Sequence, residues 1–211
     1  NYIFNSEING IEDSDLILLI GTNPRYEATI LNARIRKTYL NNKTNIYSIG
    51  DQGDLTYPYK VIGNTTGDVS EFFEKQSAIY NEFKKAKKPL IILGYSFFLL
   101  QSANYLLNKC KEFLNDHISN MDEDWKPLNI ISKDAANVGG YDLKIVGESE
   151  EFNHTLDLLH NNKLEIVFLF GQDNIKFKKN NEFVIYIGSH GDKGAESADI
   201  ILPSPAYTEQ D

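Results

Sequence analysis

The chain has 211 residues, with 21 lysines and arginines against 30 aspartates and glutamates and a net charge of −9. At 41% apolar and 12% aromatic residues it can bury a core, which excludes global disorder, and its acidic balance argues against a nucleic-acid or anionic-membrane surface, which needs clustered positive charge. The longest apolar runs, such as Leu16–Ile20 and Leu90–Leu93, fall far short of the ~20 residues of a membrane span, so no direct membrane insertion is expected.

A short apolar run closed by glycine and small polar residues recurs along the chain. It first appears as a strand over Leu16–Gly21, followed by Thr22-Asn23. Asn23 then reads as a helix cap with Pro24 at the first helical position, and Ala28, Leu31, Ile35 and Tyr39 give an apolar stripe. A second strand is expected over Ile46–Gly50, and residues 51–67 read as a polar, exposed loop. Asp68 and Glu71 suggest a capping box. Behind it Phe72, Phe73, Gln76, Ile79, Tyr80 and Phe83 keep helical spacing up to a stop before Pro89. The strand Leu90–Gly94 follows, then a helix capped by Ser96 with Leu99, Ala103, Leu106, Cys110 and Phe113 on one face. Residues 117–127 read as another polar, exposed loop. The remaining elements are a strand over Leu128–Ser132, a helix after Ser149 with Phe152, Leu156 and Leu159 inward, and strands over Ile166–Gly171, Phe183–Gly188 and Asp199–Leu202.

Continuous β-branched and leucine-rich runs predict strands buried on both faces, as in parallel sheets. Alternation of strand and helix predicts an α/β fold, a doubly wound, mainly parallel sheet with helices on both faces. A single domain over 1–211 is expected, with a soft boundary near Pro127.

Ligands of open α/β sheets bind at the carboxyl ends of the strands. The first such end is Gly21-Thr22-Asn23-Pro24-Arg25, where a glycine turn entering a helix offers amide groups to an anion. Arg25, Thr29, Asn32 and Arg36 form one polar stripe along that helix, suited to phosphate or carboxylate or to salt bridges within the protein. Neither a dinucleotide glycine fingerprint nor a P-loop is present. A second end, Ser189-His190-Gly191-Asp192-Lys193-Gly194, places His190 and Asp192 as an acid/base or orienting pair or as a polar helix cap. A third is Gln172-Asp173-Asn174. No metal site is expected: His154 and His160 fall on opposite faces of a helix, and His117 and His190 lack ligands at metal spacing. The single cysteine, Cys110, excludes an intrachain disulfide and an iron–sulfur cluster held by this chain alone, and reads as a buried structural thiol. No catalytic residue is apparent.

The stretch Ile11–Leu40 holds a strand, then GTNPR (Gly21–Arg25), the acidic Glu27 and NARIRK (Asn32–Lys37). It resembles a stretch of the large iron–sulfur (75 kDa) subunit family of respiratory NADH:ubiquinone oxidoreductase, complex I. The segment Gly188–Glu209, GSHGDKGAESADIILPSPAYTE, is similar to that family's second hallmark. Asp54-Leu55-Thr56-Tyr57, Ala86–Gly94 and Asp124–Asn129 also look like family segments in the right order.

The resemblance implies a molybdopterin-oxidoreductase-like domain that has given up its pterin dinucleotide and serves as non-catalytic scaffold in the peripheral arm. Gly21, Thr22, Asn23, Arg25, His190 and Asp192 would then line a vestigial pocket, and Arg34 and Arg36 would be structural or interfacial. No cofactor is expected in this chain, with iron–sulfur clusters in an N-terminal portion of the subunit outside it. The implied partners are that cluster-bearing portion and other peripheral-arm subunits of complex I, without nucleic acid. Relative to the family the domain looks truncated at both ends, as from a split gene or a partial chain, which predicts exposed apolar surface for partners to cover. The 18 lysines against three arginines suggest A/T-rich codons and a mitochondrial genome. The location implied is the matrix side of the inner membrane, with the cytoplasmic side of a bacterial membrane as the alternative. A working molybdopterin oxidoreductase fragment and an unrelated nucleotide-binding module are the competing expectations.

Overall fold

Leu16–Ile20 and Pro89–Leu93 are buried at every position, as uninterrupted apolar runs should be in the middle of a parallel sheet. In the computed structural model, which describes residues 2–74, 78–133, 136–144, 149–174, 178–191 and 193–209, these runs are neighbouring central strands. The contacts divide the chain into two compact units, residues 1–139 and 140–211. The single domain anticipated from the sequence thus meets a division at Gly139–Gly140. Pro127, the expected soft boundary, lies inside the first unit because the strand after it is paired into that unit's sheet.

The first unit begins with α1 (Glu7–Gly10) and continues through β1 (Leu16–Ile20), α2 (Pro24–Glu27), α3 (Thr29–Asn42), β2 (Asn45–Ile49) and β3 (Lys60–Gly63). Then come α4 (Thr66–Glu74), α5 (Ala78–Lys85), β4 (Pro89–Leu93), α6 (Tyr95–Phe98), α7 (Ala103–His117), β5 (Leu128–Ile130) and α8 (Asn137–Asp142), which spans the division. Gln76, between α4 and α5, lies outside the described residues. The five strands are parallel in the order β3-β2-β1-β4-β5. Alternate residues point to opposite faces, and each face has its own core. Leu16, Leu18 and Ile20 pack with Phe72, Phe83, Leu106 and Phe113 of α4, α5 and α7. Ile17 and Leu19 pack with Leu31 and Ile35 of α3 on the other face. The sheet is therefore doubly wound, and its order reverses between β1 and β4 at the end where ligands of such folds bind.

The second unit holds α9 (Ser149–His160), β6 (Ile166–Phe170), β7 (Phe183–Gly188), α10 (Lys193–Glu196) and β8 (Ile200–Pro203). Its strands are parallel in the order β6-β7-β8. Val167, Leu169, Val184 and Tyr186 form one buried face with Leu159 of α9, and Ala195 of α10 packs against it. Leu156 is half-buried, while the side chain of Phe152 lies outside the described residues.

Local structure departs from the sequence reading in six places. The helix expected to run on from Pro24 is broken at Ala28, whose φ of −152° and ψ of 72° are not helical, into α2 and α3. Residues 51–67 are not simply an exposed loop: Leu55 and Tyr57 are buried and β3 lies within the segment. In the loop 117–127, His117 and Met121 are buried and the Trp125 indole donates to the Pro89 carbonyl at 2.7 Å. The capping box lies three residues earlier than expected. The Thr65 hydroxyl accepts from the Asp68 amide at 3.2 Å, and the Asp68 carboxylate accepts from the Asn64 and Thr65 amides, both at 2.8 Å. Ser96 does not cap a long helix but sits inside the short α6, its hydroxyl engaged elsewhere. Finally, β6 alternates between exposed and buried positions, because α9 and α10 cover only one face of its sheet.

Candidate functional site

The carboxyl ends of β1 and β4 touch. Gly21 has φ +59°, a left-handed conformation that suits glycine, and a Cβ there would lie 2.9 Å from the Phe97 amide nitrogen. A Cβ on Gly94 would lie 2.3 Å from the Gly21 carbonyl oxygen. The Gly94 amide donates to the Ile20 carbonyl at 3.0 Å, and the Ser96 hydroxyl to the Gly21 carbonyl at 2.5 Å. These two glycines let one turn of this protein pack on another.

Beyond Gly21 the chain enters α2 as the sequence predicts, with Pro24 first and the Asn23 side chain accepting from the Arg25 amide at 3.2 Å. Glu27 then folds back on the turn. Its carboxylate accepts from the buried Thr22 hydroxyl at 3.0 Å and from the Asn23 amide at 2.9 Å. A carboxylate of the protein thus occupies donors that an incoming anion would seek.

The polar stripe of α2 and α3 closes on residues 52–57. The Asn23 amide side chain donates to the Gln52 carbonyl at 3.0 Å. Arg25 Nη1 donates to both the carbonyl and the carboxylate of Asp54 at 2.7 Å. Asn32, buried, donates to the Leu55 carbonyl at 3.1 Å and accepts from the Tyr57 hydroxyl at 2.9 Å. Arg36 Nε donates to the Thr56 carbonyl at 3.2 Å. The Asp54 carboxyl is held below its ordinary range, first by the Thr56 amide and then by Arg25. Arg34 pairs with Glu12, which also pairs with Lys37 at 2.6 Å, and hydrogen bonds from Lys37 and then Arg34 lower the Glu12 pKa.

A cleft of about 310 Å³ remains over this end of the sheet, at the lower limit for small-molecule sites. Gly21, Thr22, Glu27, Gln52, Thr65 and Ser96 contribute to its wall, and no lysine or arginine does among the described residues.

In the second unit, the exposed His190 ring has its Nδ1 2.9 Å from the Ser189 hydroxyl, and Asp192 lies outside the described residues. The Tyr186 hydroxyl donates to the His190 carbonyl at 3.1 Å and to Asp173 at 3.2 Å. The other oxygen of Asp173 accepts from the Gly194 amide at 2.8 Å. A Cβ on Gly194 would lie 2.5 Å from the Gln172 carbonyl oxygen, so this glycine admits a neighbouring strand end of the same unit. Gln172-Asp173-Asn174 therefore braces the loop.

Among the described residues no group of three His, Cys, Asp or Glu side chains is placed to hold a metal. His117 is buried, with Nε2 3.1 Å from the Tyr80 hydroxyl. Cys110 is buried in the core beside α4, and burial pushes its thiol up to about 12. Residue spacing gave no hint of the part played by Glu27 and the segment 52–57. Their place inside stretches that resemble the family was the available signal.

The five-stranded parallel sheet, with a glycine turn and capped helix at its reversal point, defines a doubly wound α/β domain. The chain belongs to the molybdopterin oxidoreductase family, whose family model matches residues 1–211. It is 38% identical over its whole length to the NADH-ubiquinone oxidoreductase 75 kDa subunit of Reclinomonas americana, covering 30% of that protein. It is 37% identical to the mitochondrial NADH-ubiquinone oxidoreductase 78 kDa subunit of Candida albicans, covering 28% of it. A third relative, an NADH-quinone oxidoreductase subunit of Rickettsia bellii, is 36% identical, with 30% of its length covered. Each of those alignments includes all of this chain. The chain thus spans about a third or less of the curated relatives it matches.

A pterin dinucleotide would bring a pyrophosphate to the turn after β1. The residues there are a carboxylate already bonded to the turn, neutral side chains, and an arginine turned toward Asp54. That donor set does not fit the group.

Proposed function

We propose that this chain is a non-catalytic scaffold domain of the peripheral arm of respiratory complex I. It supports electron transfer from NADH to ubiquinone through iron–sulfur clusters held elsewhere, and it holds no pterin. Its partners are the cluster-bearing portion of the large subunit and other peripheral-arm subunits, on the matrix side of the mitochondrial inner membrane. The names of the relatives point to the complex. The observation that carries the scaffold role is the internal use of the turn: Glu27 bonds Thr22 and Asn23, and Asn23, Arg25, Asn32 and Arg36 bond residues 52–57. Groups that would recognise a ligand are spent on holding the fold. On this reading the vestigial pocket is a packing site.

The test is purification of the native assembly through a tag on this chain. The chain should co-migrate with NADH dehydrogenase activity and with iron, while molybdenum and pterin fluorescence stay far below one equivalent. Stoichiometric molybdenum would make the chain a working oxidoreductase, and recovery solely as a free monomer would remove it from the complex.

A further inference from the structure

The sheet of the second unit is covered on one face over β6 and β7 and bare on the other, while β8 is exposed on both faces, Ile201 by 54%. Register pairs Ile166 with Phe183, Phe168 with Ile185 and Ile185 with Ile200, so these residues share a face. That face presents Ile166, Phe168, Phe170, Phe183, Ile200 and Leu202, exposed by 42 to 71%. The two isoleucines of β7, Ile185 and Ile187, lie half-buried between them. Phe168 and Phe170 stack with ring centroids 6.2 Å apart. None of the three strands carries a charged residue. Parallel sheets occur almost solely with both faces covered, and α9 and α10 both lie against the opposite face.

We infer that this face is the docking surface for an amphipathic helical layer supplied by the portion of the complex I large subunit that lies outside the 211 residues. The inference rests on the scaffold reading above and names what the scaffold holds. Two observations select this occupant. First, about 70% of the length of the relatives falls outside the matched span, so in them the same subunit has polypeptide to spare. Second, a face without charge calls for an apolar partner stripe, and a helix offers one while keeping its outer side polar.

The test uses the assembled complex. Phe170→Cys, and separately Ile166→Cys, are introduced into the full chain and labelled with a maleimide. The buried Cys110 serves as an internal reference for protection. Labelling in the native complex should be slower by tenfold or more than in the same complex unfolded in denaturant. Protection of less than tenfold at both positions, with the chain present in the complex, overturns the inference and leaves the scaffold reading standing. Absence of the chain from the complex overturns the scaffold reading itself. A photo-crosslinking phenylalanine analogue at position 168 then identifies the occupant. Crosslinks to apolar positions at helical spacing in the rest of the large subunit are expected. Crosslinks to a second copy of this chain or to a different subunit would overturn the assignment.

Discussion

At the scale of single residues, Asn32 and Arg25 grip the same segment by different means. Asn32 is buried and bridges the Leu55 carbonyl and the Tyr57 hydroxyl. Asn32→Ala strands both groups in the core and should cost about 1–3 kcal/mol. The Arg25 side chain is 40% exposed and that of Asp54 75%, so solvent screens the pair. Arg25→Ala should cost only about 0.2–1 kcal/mol. Urea unfolding of the two variants checks the order, and a larger loss for Arg25→Ala would mean that the charged pair dominates the clamp. The part of the stripe on α3, Thr29, Asn32 and Arg36, was legible at the sequence level because residues three and four apart share a helix face, whereas Arg25 lies on the separate helix α2. Its target was not, since the stripe fits an external anion as well as an internal carbonyl. Glu27 shows the same limit. An acidic residue four positions beyond Asn23 is an ordinary helix residue until the fold shows its carboxylate on the Asn23 amide.

At the scale of elements, the turns after β1 and β4 are coupled through their backbones. Gly94→Ala would put a methyl group 2.3 Å from the Gly21 carbonyl oxygen, with the Thr22 Cα 2.7 Å away. Backbone on that side cannot rotate away as a long side chain can, so the variant should lose about 1–3 kcal/mol. Gly139→Ala, in α8 with nothing within 4 Å, should be neutral or gain up to about 1 kcal/mol. Thermal melts of the pair measure this contrast, and equal melting temperatures would contradict the packing argument. The glycine-ended strand was recognisable in sequence as a sharp turn. That Gly21 and Gly94 serve each other depends on β1 and β4 being neighbours, although Thr29–Asn42, Asn45–Ile49 and the segments up to Lys85 intervene. Apolar runs likewise left the exposure of strands ambiguous. LILLI in β1 and IVFLF in β6 are equally apolar, yet the first is buried throughout and the second on alternate residues. The difference is the number of helices available to cover each sheet.

At the scale of the whole molecule, acid stability follows from its carboxylates. Glu12, Asp51, Asp54, Asp68 and Asp199 are all held below their ordinary pKa values by hydrogen bonds or cations. A lowered value in the folded state contributes stability that is complete above the unfolded pKa of about 4 and is lost as pH falls through the folded values. The melting temperature should therefore hold from neutral pH to about pH 5 and fall modestly below about pH 4, since all five carboxylates are solvent-screened. A melting temperature unchanged down to about pH 2 would show that these carboxylates are not linked to folding. The sequence by itself determined the alternation of strand and helix, the parallel α/β class, the capped turn at Gly21–Arg25 and the acidic surface, because each depends on local periodicity or composition. Only the tertiary structure decided that the polar stripe and Glu27 satisfy one another and residues 52–57, and that one sheet is covered on both faces while the other keeps an apolar face open. The reason is that a hydrogen-bond donor or an apolar side chain declares what kind of partner it requires, whereas its distance from each possible partner is set by the packing of elements far apart in the chain.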